Sequence, residues 1–204
     1  MSNAITEKLR TVPVQQLISH LDELGDRDFL NVDKPLSVLR AHPVDPDSLT
    51  PYIFWDAQHY TRNLIHKTEL YELLAICWEV GMKSSIHNHK NQNCWMAAPI
   101  GKLEVHNYKV LEEDLASQHC NIVPTDTVEI TQVNPVAVDP LHPVHDVRNP
   151  REWNQRAVSL HLYSRPFDSC VVYSCEQHTC GEIGLHYTSM HGKLVQDGIA
   201  PGPD

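Results

Sequence analysis

Apolar positions in the first third of the chain recur at helical spacing. Val14, Leu17, Ile18, Leu21 and Leu24 fall on one helix face, with Pro13 near the start and Gly25 as a stop. Asp33 followed by Pro35 reads as the cap and opening of a short second helix, and Asp45-Pro46 as the opening of a third. A stripe of this kind packs against a partner surface and carries no chemistry of its own. From about Tyr60 the period changes. Short runs rich in β-branched and aromatic residues predict strands over 60–66, 70–79, 84–89, 94–99, 102–108, 127–132, 157–163 and 170–174. Gly81, Gly101, Pro135, Pro140, Asn149-Pro150 and Pro166 punctuate them. Many short strands at this spacing predict a mainly β sandwich or barrel. No internal repeat, low-complexity segment or linker interrupts the pattern. The expected organisation is one domain over 1–204, with a helical N-terminal segment (1–50), a β-rich body (51–192) and a loose tail (193–204) ending in IAPGPD.

Composition narrows the partners. Charged residues make up 21% of the chain and apolar residues 41%, an ordinary globular mix. The net charge is -10 with no Lys/Arg cluster, which argues against nucleic acid or an anionic membrane surface as a partner. The longest apolar stretch, 73–77, is far too short to span a bilayer, and MSNAITEKLR at the N-terminus has no apolar signal core. The expected location is the cytoplasm, where the six cysteines would be reduced thiols, and the expected form is a monomer. Fourteen histidines raise the expectation of a metal site.

The most informative segment is GMKSSIHNHKNQNCWMAAPIG, from Gly81 to Gly101. His87 and His89 are two apart, so on a strand both imidazoles share one face and can hold one ion. A second segment, PLHPVHDVRN, offers His145 with His142 close by. Three neutral imidazoles suit iron, zinc, copper or nickel. Cys170, Cys175 and Cys180 lie five residues apart near His178, wider than the pairs usual in structural zinc sites, and no site is expected there.

These two segments resemble the two motifs of the cupin fold. Gly81, His87-x-His89, Cys94 and Gly101 match the first, with Cys94 where most cupins carry a metal-binding glutamate. Pro140, His145 and Asn149 match the second, with His142 in place of its glycine, and this alignment selects His145 as the third ligand. The implied architecture is a cupin, or jelly-roll, β-barrel behind a short helical segment. The resemblance then narrows. YTRN (60–63), SSIHNH (84–89), Cys94, SLHLYS (159–164) and PFD (166–168) are similar to cysteine dioxygenases over roughly 52–192. That family implies iron(II) held by three histidines, and addition of both atoms of dioxygen to a small thiol to give a sulfinate. Three neutral ligands leave the ion its full charge and open positions, which suits a thiolate substrate.

The resemblance also implies roles. Arg62 is the carboxylate clamp for L-cysteine, because its planar fork matches a carboxylate and stays charged; relatives acting on 3-mercaptopropionate tend to carry glutamine there. Tyr60, two residues earlier, shares its face. Ser159, His161 and Tyr163 alternate along one strand and form a hydrogen-bond relay that fixes the phenol near the iron. In animal-type members the residues matching Cys94 and Tyr163 are joined by a thioether, and both partners are present here. Cys170 matches a cysteine near the pocket entrance. One departure stands out: the family often has two prolines after the tyrosine and serine, the first following a cis bond. Here Arg165 intervenes before Pro166. Either a cis bond precedes Arg165 at about 3–4 kcal/mol, or the bond is trans and the loop shifts, with Arg165 offering extra positive charge to a more anionic thiol.

Overall fold

The structure, a computed structural model, describes residues 9–195. The N-terminal segment folds into α1 (Val14–Asp22), α2 (Asp26–Phe29), α3 (Asp33–Ala41) and a 3₁₀ helix (Pro46–Tyr52). Val14, Leu17 and Leu21 of α1 are fully buried, so the stripe read from the sequence does pack inward. Two readings need correction. The second helix starts at Asp33 itself, whose amide is capped by Asn31 Oδ1 at 2.9 Å; Asp33 sits in the first turn, where its charge suits the helix dipole. The third is a 3₁₀ helix: Asp45 does cap it through the Asp47 amide, but Pro51 inside it has no N–H to carry an α-helical ladder onward.

The strands are β1 (Thr61–Lys67), β2 (Tyr71–Trp78), β3 (Ile86–His87), β4 (Cys94–Ile100), β5 (Leu103–Asp114), β6 (His119–Ile130), β7 (Val136–Ala137), β8 (Val144–Arg148), β9 (Ala157–Ser164), β10 (Ser169–Ser174), β11 (Thr179–Gly184), β12 (Ser189–Met190) and β13 (Lys193–Leu194). One sheet has the order β13-β12-β1-β2-β9-β4-β7. The other, β10-β11-β6-β5-β8-β3, closes on itself because β3 pairs with both β8 and β10. This is the mainly β cupin barrel with its short helical segment. The expected tail begins too early, since Lys193–Leu194 pairs with β12; residues 196–204 lie outside the described part.

β2 shows how the layers assemble. All eight of its residues are buried. Tyr71, Leu73, Ala75 and Cys77 pack outward against the N-terminal helices, while Leu74, Ile76 and Trp78 pack into the barrel. The helices therefore cover one face of a central strand that would otherwise be wet. Each fully buried leucine here contributes about 1.5–3 kcal/mol. β9 divides the same way: Val158, Leu160 and Leu162 join the helix-side core, and Ala157 and Tyr163 the barrel interior.

Two motif residues are explained by backbone geometry. Gly101, between β4 and β5, has φ 69°, and a Cβ there would lie 2.7 Å from the Arg156 carbonyl oxygen. Buried Asn149 donates from Nδ2 to the carbonyls of Trp78, Glu79 and Gln155, and so ties the turn after β2 to the end of β8.

Candidate metal centre and substrate pocket

Three strands and one turn bring the histidines together. His87 of β3 is directly opposite His145 of β8 and also opposite Val172 of β10. His89 lies past the end of the two-residue β3, which corrects the expectation of a strand over 84–89. It is held by Asn88, whose amide donates to Val171 O at 3.1 Å and whose Oδ1 accepts from Val171 N at 3.1 Å. That exchange prolongs the contact with β10 and keeps His89 on the side of His87. Lys90 (φ 49°) and Asn91 (φ 63°) then turn the chain back toward β4.

The coordinating atoms of His87, His89 and His145 lie within 4.8 Å of one another. His89 and His145 are buried, and among the described residues both ring nitrogens of each lack a hydrogen-bond partner. Two buried neutral imidazoles with no partner at either nitrogen are costly unless an ion takes up the lone pair that each ring offers. Burial lowers all three pKa values, which keeps the imidazoles in the neutral, ligating form. His87 Nδ1 bonds the Ser85 carbonyl at 2.9 Å, which puts the proton on Nδ1 and leaves Nε2 free for an ion. The residues thus fit a metal. His142 is exposed and outside the cluster.

Ser159, His161 and Tyr163 face the barrel interior beside these histidines. His161 Nε2 is 2.9 Å from Ser159 Oγ, and His161 Nδ1 is 3.1 Å from Tyr163 Oη. Trp78 Nε1 donates to Ser159 Oγ at 2.9 Å. The indole can only donate, and this fixes the direction of the rest. With Ser159 Oγ accepting from Trp78, its own proton goes to His161 Nε2, and His161 Nδ1–H points at Tyr163. The reverse direction would leave the buried serine proton without an acceptor. Tyr163 then keeps its phenolic proton free for the pocket. Burial, with the charge of Arg62 next in importance, lowers His161 to about 3, so the ring stays neutral within the relay. Burial raises the Tyr163 phenol well above its ordinary value.

The pocket is lined on its polar side by Tyr60, Arg62, His87, His89 and Tyr163. Phe167, Cys170, Val172, Ile183 and Leu185 form its apolar wall. Tyr60 stacks on Trp78 with ring centroids 4.8 Å apart, which anchors it at the mouth of β1. The Arg62 guanidinium donates to the Tyr163 phenol, and its Nε has no partner. Burial alone would lower Arg62; Tyr163, Tyr60 and Glu72 around it outweigh this and hold it fully charged. Cys94 of β4 is directly opposite Tyr163 of β9 and is a free thiol here.

Arg165 is not part of the pocket. The described chain contains no cis peptide bond; Arg165 instead adopts φ 75°, and its side chain reaches outward to Asp26 at 2.7 Å. Of the two alternatives for this loop, the trans bond is found, and the added charge faces the N-terminal helices rather than a substrate. Trp78 and Glu72 were not singled out from the sequence. Glu72 had a signal, as the one charged side chain in the apolar run 71–78.

The chain matches the profile of the family described as "Cysteine dioxygenase type I" over residues 1–176. Relatives named cysteine dioxygenase type 1 include the Homo sapiens protein, 31% identical with 92% of each chain covered. The Rattus norvegicus protein is 33% identical with the same coverage. Among solved structures, a double-stranded β-helix protein from Klebsiella pneumoniae is similar at TM-score 0.43 and 13% identity, over 58% of this chain and 82% of that one. An RmlC-like cupin from Desulfovibrio desulfuricans is similar at TM-score 0.38 and 14% identity, over 56% of this chain and 91% of that one.

Proposed function

This chain belongs to the cysteine dioxygenase type I family, and we propose that it oxidises L-cysteine with dioxygen to cysteine sulfinate at one iron(II) ion held by His87, His89 and His145. The enzyme is an oxidoreductase of the dioxygenase kind. The observation that carries the finer reading is a cluster of three imidazoles, two of them with no hydrogen-bond partner at either nitrogen among the described residues, beside a cavity lined by a charged Arg62 and a directed phenol. The overall change is R–SH + O₂ → R–SO₂H, which needs no further reductant. When bound, the iron would supply the redox chemistry that places both oxygen atoms on sulfur.

The chain's own residues bind and orient. Arg62 receives the substrate carboxylate, with Tyr60 beside it, and so aims the thiol at the histidine cluster. Tyr163 presents its phenolic proton to the reacting end, and Trp78, Ser159 and His161 behind it hold the phenol in one orientation. Phe167, Val172, Ile183 and Leu185 exclude water from the reacting atoms. The competing substrates are other small carboxylated thiols: 3-mercaptopropionate, which keeps the carboxylate spacing of cysteine and lacks its amine, and homocysteine, which is one methylene longer. Oxygen uptake by the iron-loaded protein across a thiol panel, with sulfinate products identified, decides between them. L-Cysteine should give the highest kcat/KM, and no uptake with any thiol would refute an enzymatic role.

Cys94 and Tyr163 are in register on adjacent strands, both buried, and we expect a thioether between them. Joining Cys94 sulfur to the ring of Tyr163 removes two hydrogens, whose electrons pass to dioxygen. The bond should therefore form only with iron and oxygen present, and partially, in step with turnover. It should raise activity by holding the tyrosine without being essential. The linked chain should lose the mass of two hydrogens, and Cys94→Ser should abolish that loss while keeping iron. An unchanged mass after aerobic turnover, with a free Cys94 on peptide mapping, would show that the link is absent.

A further inference from the structure

Glu72 is a carboxylate inside the barrel. It is fully buried and faces inward with Leu74, Ile76 and Trp78. In register it lies between Tyr163 of β9 and Lys67 of β1. Its Oε2 accepts a hydrogen bond from Tyr187 Oη, and Lys67 Nζ donates to the same hydroxyl at 3.3 Å. The Phe167 backbone N–H also favours the carboxylate. Among the described residues its Oε1 has no partner, and neither has Arg62 Nε. A buried carboxylate left half-satisfied is costly unless a cation balances it. The charged and titratable groups acting on it are Arg62 and Lys67 from β1, Tyr163 from β9 and Tyr187 from the segment before β12. Lys67 is exposed and hydrated, so Arg62 is the cation inside the barrel.

We infer that Glu72 is the buried counter-anion of Arg62 and sets how strongly that clamp holds a substrate carboxylate. The inference rests on Arg62 being the clamp. Two anions then share one guanidinium: Glu72 from within the barrel and the substrate from the pocket. An ionised Glu72 repels the incoming carboxylate and weakens its hold, whereas a neutral Glu72 leaves the whole field of Arg62 to the substrate. Burial raises the Glu72 pKa; Tyr187, Arg62 and Lys67 oppose that shift without cancelling it. The affinity for a carboxylated thiol should therefore fall as pH rises through the titration of Glu72. Glu72 acts through Arg62, so it is a positioning residue.

The test is calorimetric binding of L-cysteine and cysteamine under argon to the iron-loaded protein, between roughly pH 5 and 8.5, with KM and kcat measured alongside. Glu72→Gln keeps the shape and an acceptor for Tyr187. It should tighten L-cysteine binding at the upper end by roughly tenfold, flatten its pH dependence, and leave kcat and cysteamine binding unchanged. Tyr187→Phe removes a hydrogen bond that favours the charged carboxylate, so the loss of affinity should move to higher pH. In an Arg62→Ala background, Glu72→Gln should have a much smaller effect on L-cysteine binding, because only the direct repulsion between the two carboxylates remains. Equal L-cysteine affinities and pH profiles for wild type, Glu72→Gln and Tyr187→Phe would overturn the inference, as would equal shifts for both thiols. If Arg62→Ala abolishes the preference for L-cysteine while the Glu72 variants stay silent, only the role of Glu72 falls. If Arg62→Ala keeps that preference, the clamp itself is wrong, and the counter-anion role falls with it.

Discussion

Alanine at His87, His89 or His145 should strip the protein of its metal and lower thiol oxidation by more than about 100-fold, whereas His142→Ala should retain both. Loss of a residue that merely supports a metal ligand commonly costs 10–100-fold, and a direct ligand should cost more. The structure gives the reason in each position. His89 and His145 turn nitrogens with no other partner into the same buried space, and His87 faces His145 across a strand pair. His142 is exposed on the loop before β8. Metal content by elemental analysis, read beside oxygen uptake, checks the assignment. Iron lost from His142→Ala and kept in His145→Ala would show that the wrong third ligand has been named.

The third ligand also marks where sequence stops being legible. His87 and His89 stand out by spacing, between glycines whose need is local, such as the φ 69° of Gly101. Within the second segment the residues alone leave His145 and His142 both open; the resemblance to the second cupin motif selects His145, and the physical reason is the pairing of β8 with β3, a long-range register. β8 itself was missed because its five residues mix Val144 and Val147 with a histidine, an aspartate and an arginine, and prolines precede it. Its buried aspartate depends on a partner from another strand: Asp146 accepts from Tyr108 at 2.8 Å, and from Arg148 of its own strand at 2.6 Å. β11, with Gly181 inside it and Gly184 at its end, looks like a turn in isolation and is a strand only because β10 pairs along its whole length. β5 beyond Tyr108 and β6 from Val123 to Thr127 are largely exposed, so no buried face writes a period into them. By contrast the N-terminal stripe and the apolar runs of β2, β4 and β9 bury a regular face and were readable for that reason.

The relay follows the same rule. Its three members alternate on one strand and could be picked out together, but the direction of its protons could not. That depends on Trp78, which sits on the neighbouring strand with Ile76 opposite Ser159. Glu72 is likewise defined by partners far away in sequence, at Phe167 and Tyr187. Residues whose role is set across strands are the ones a linear reading passes over.

Arg62→Ala should raise the KM for L-cysteine far more than it lowers kcat. The guanidinium lines the pocket with the histidine cluster, carries no hydrogen bond at Nε, and stays charged despite its surroundings. Removing one partner of a desolvated charge pair costs about 2–5 kcal/mol, or roughly 30-fold to several thousand-fold in affinity. The Cβ of alanine leaves the substrate carboxylate facing apolar wall and Tyr60, neither of which can neutralise it. Arg62→Lys should recover part of the loss, since a point charge replaces the charge without the paired geometry of the fork. The complementary test alters the substrate. Cysteamine has the thiol and amine of cysteine and lacks the carboxylate, so wild type should use it poorly, and Arg62→Ala should handle it no worse than wild type does. Steady-state kinetics on both thiols with both proteins close the cycle, because the effect of the side chain should vanish when its ligand group is absent. Equal turnover of cysteamine and cysteine by the wild type would take the carboxylate clamp out of the mechanism and leave the thiol alone to direct binding.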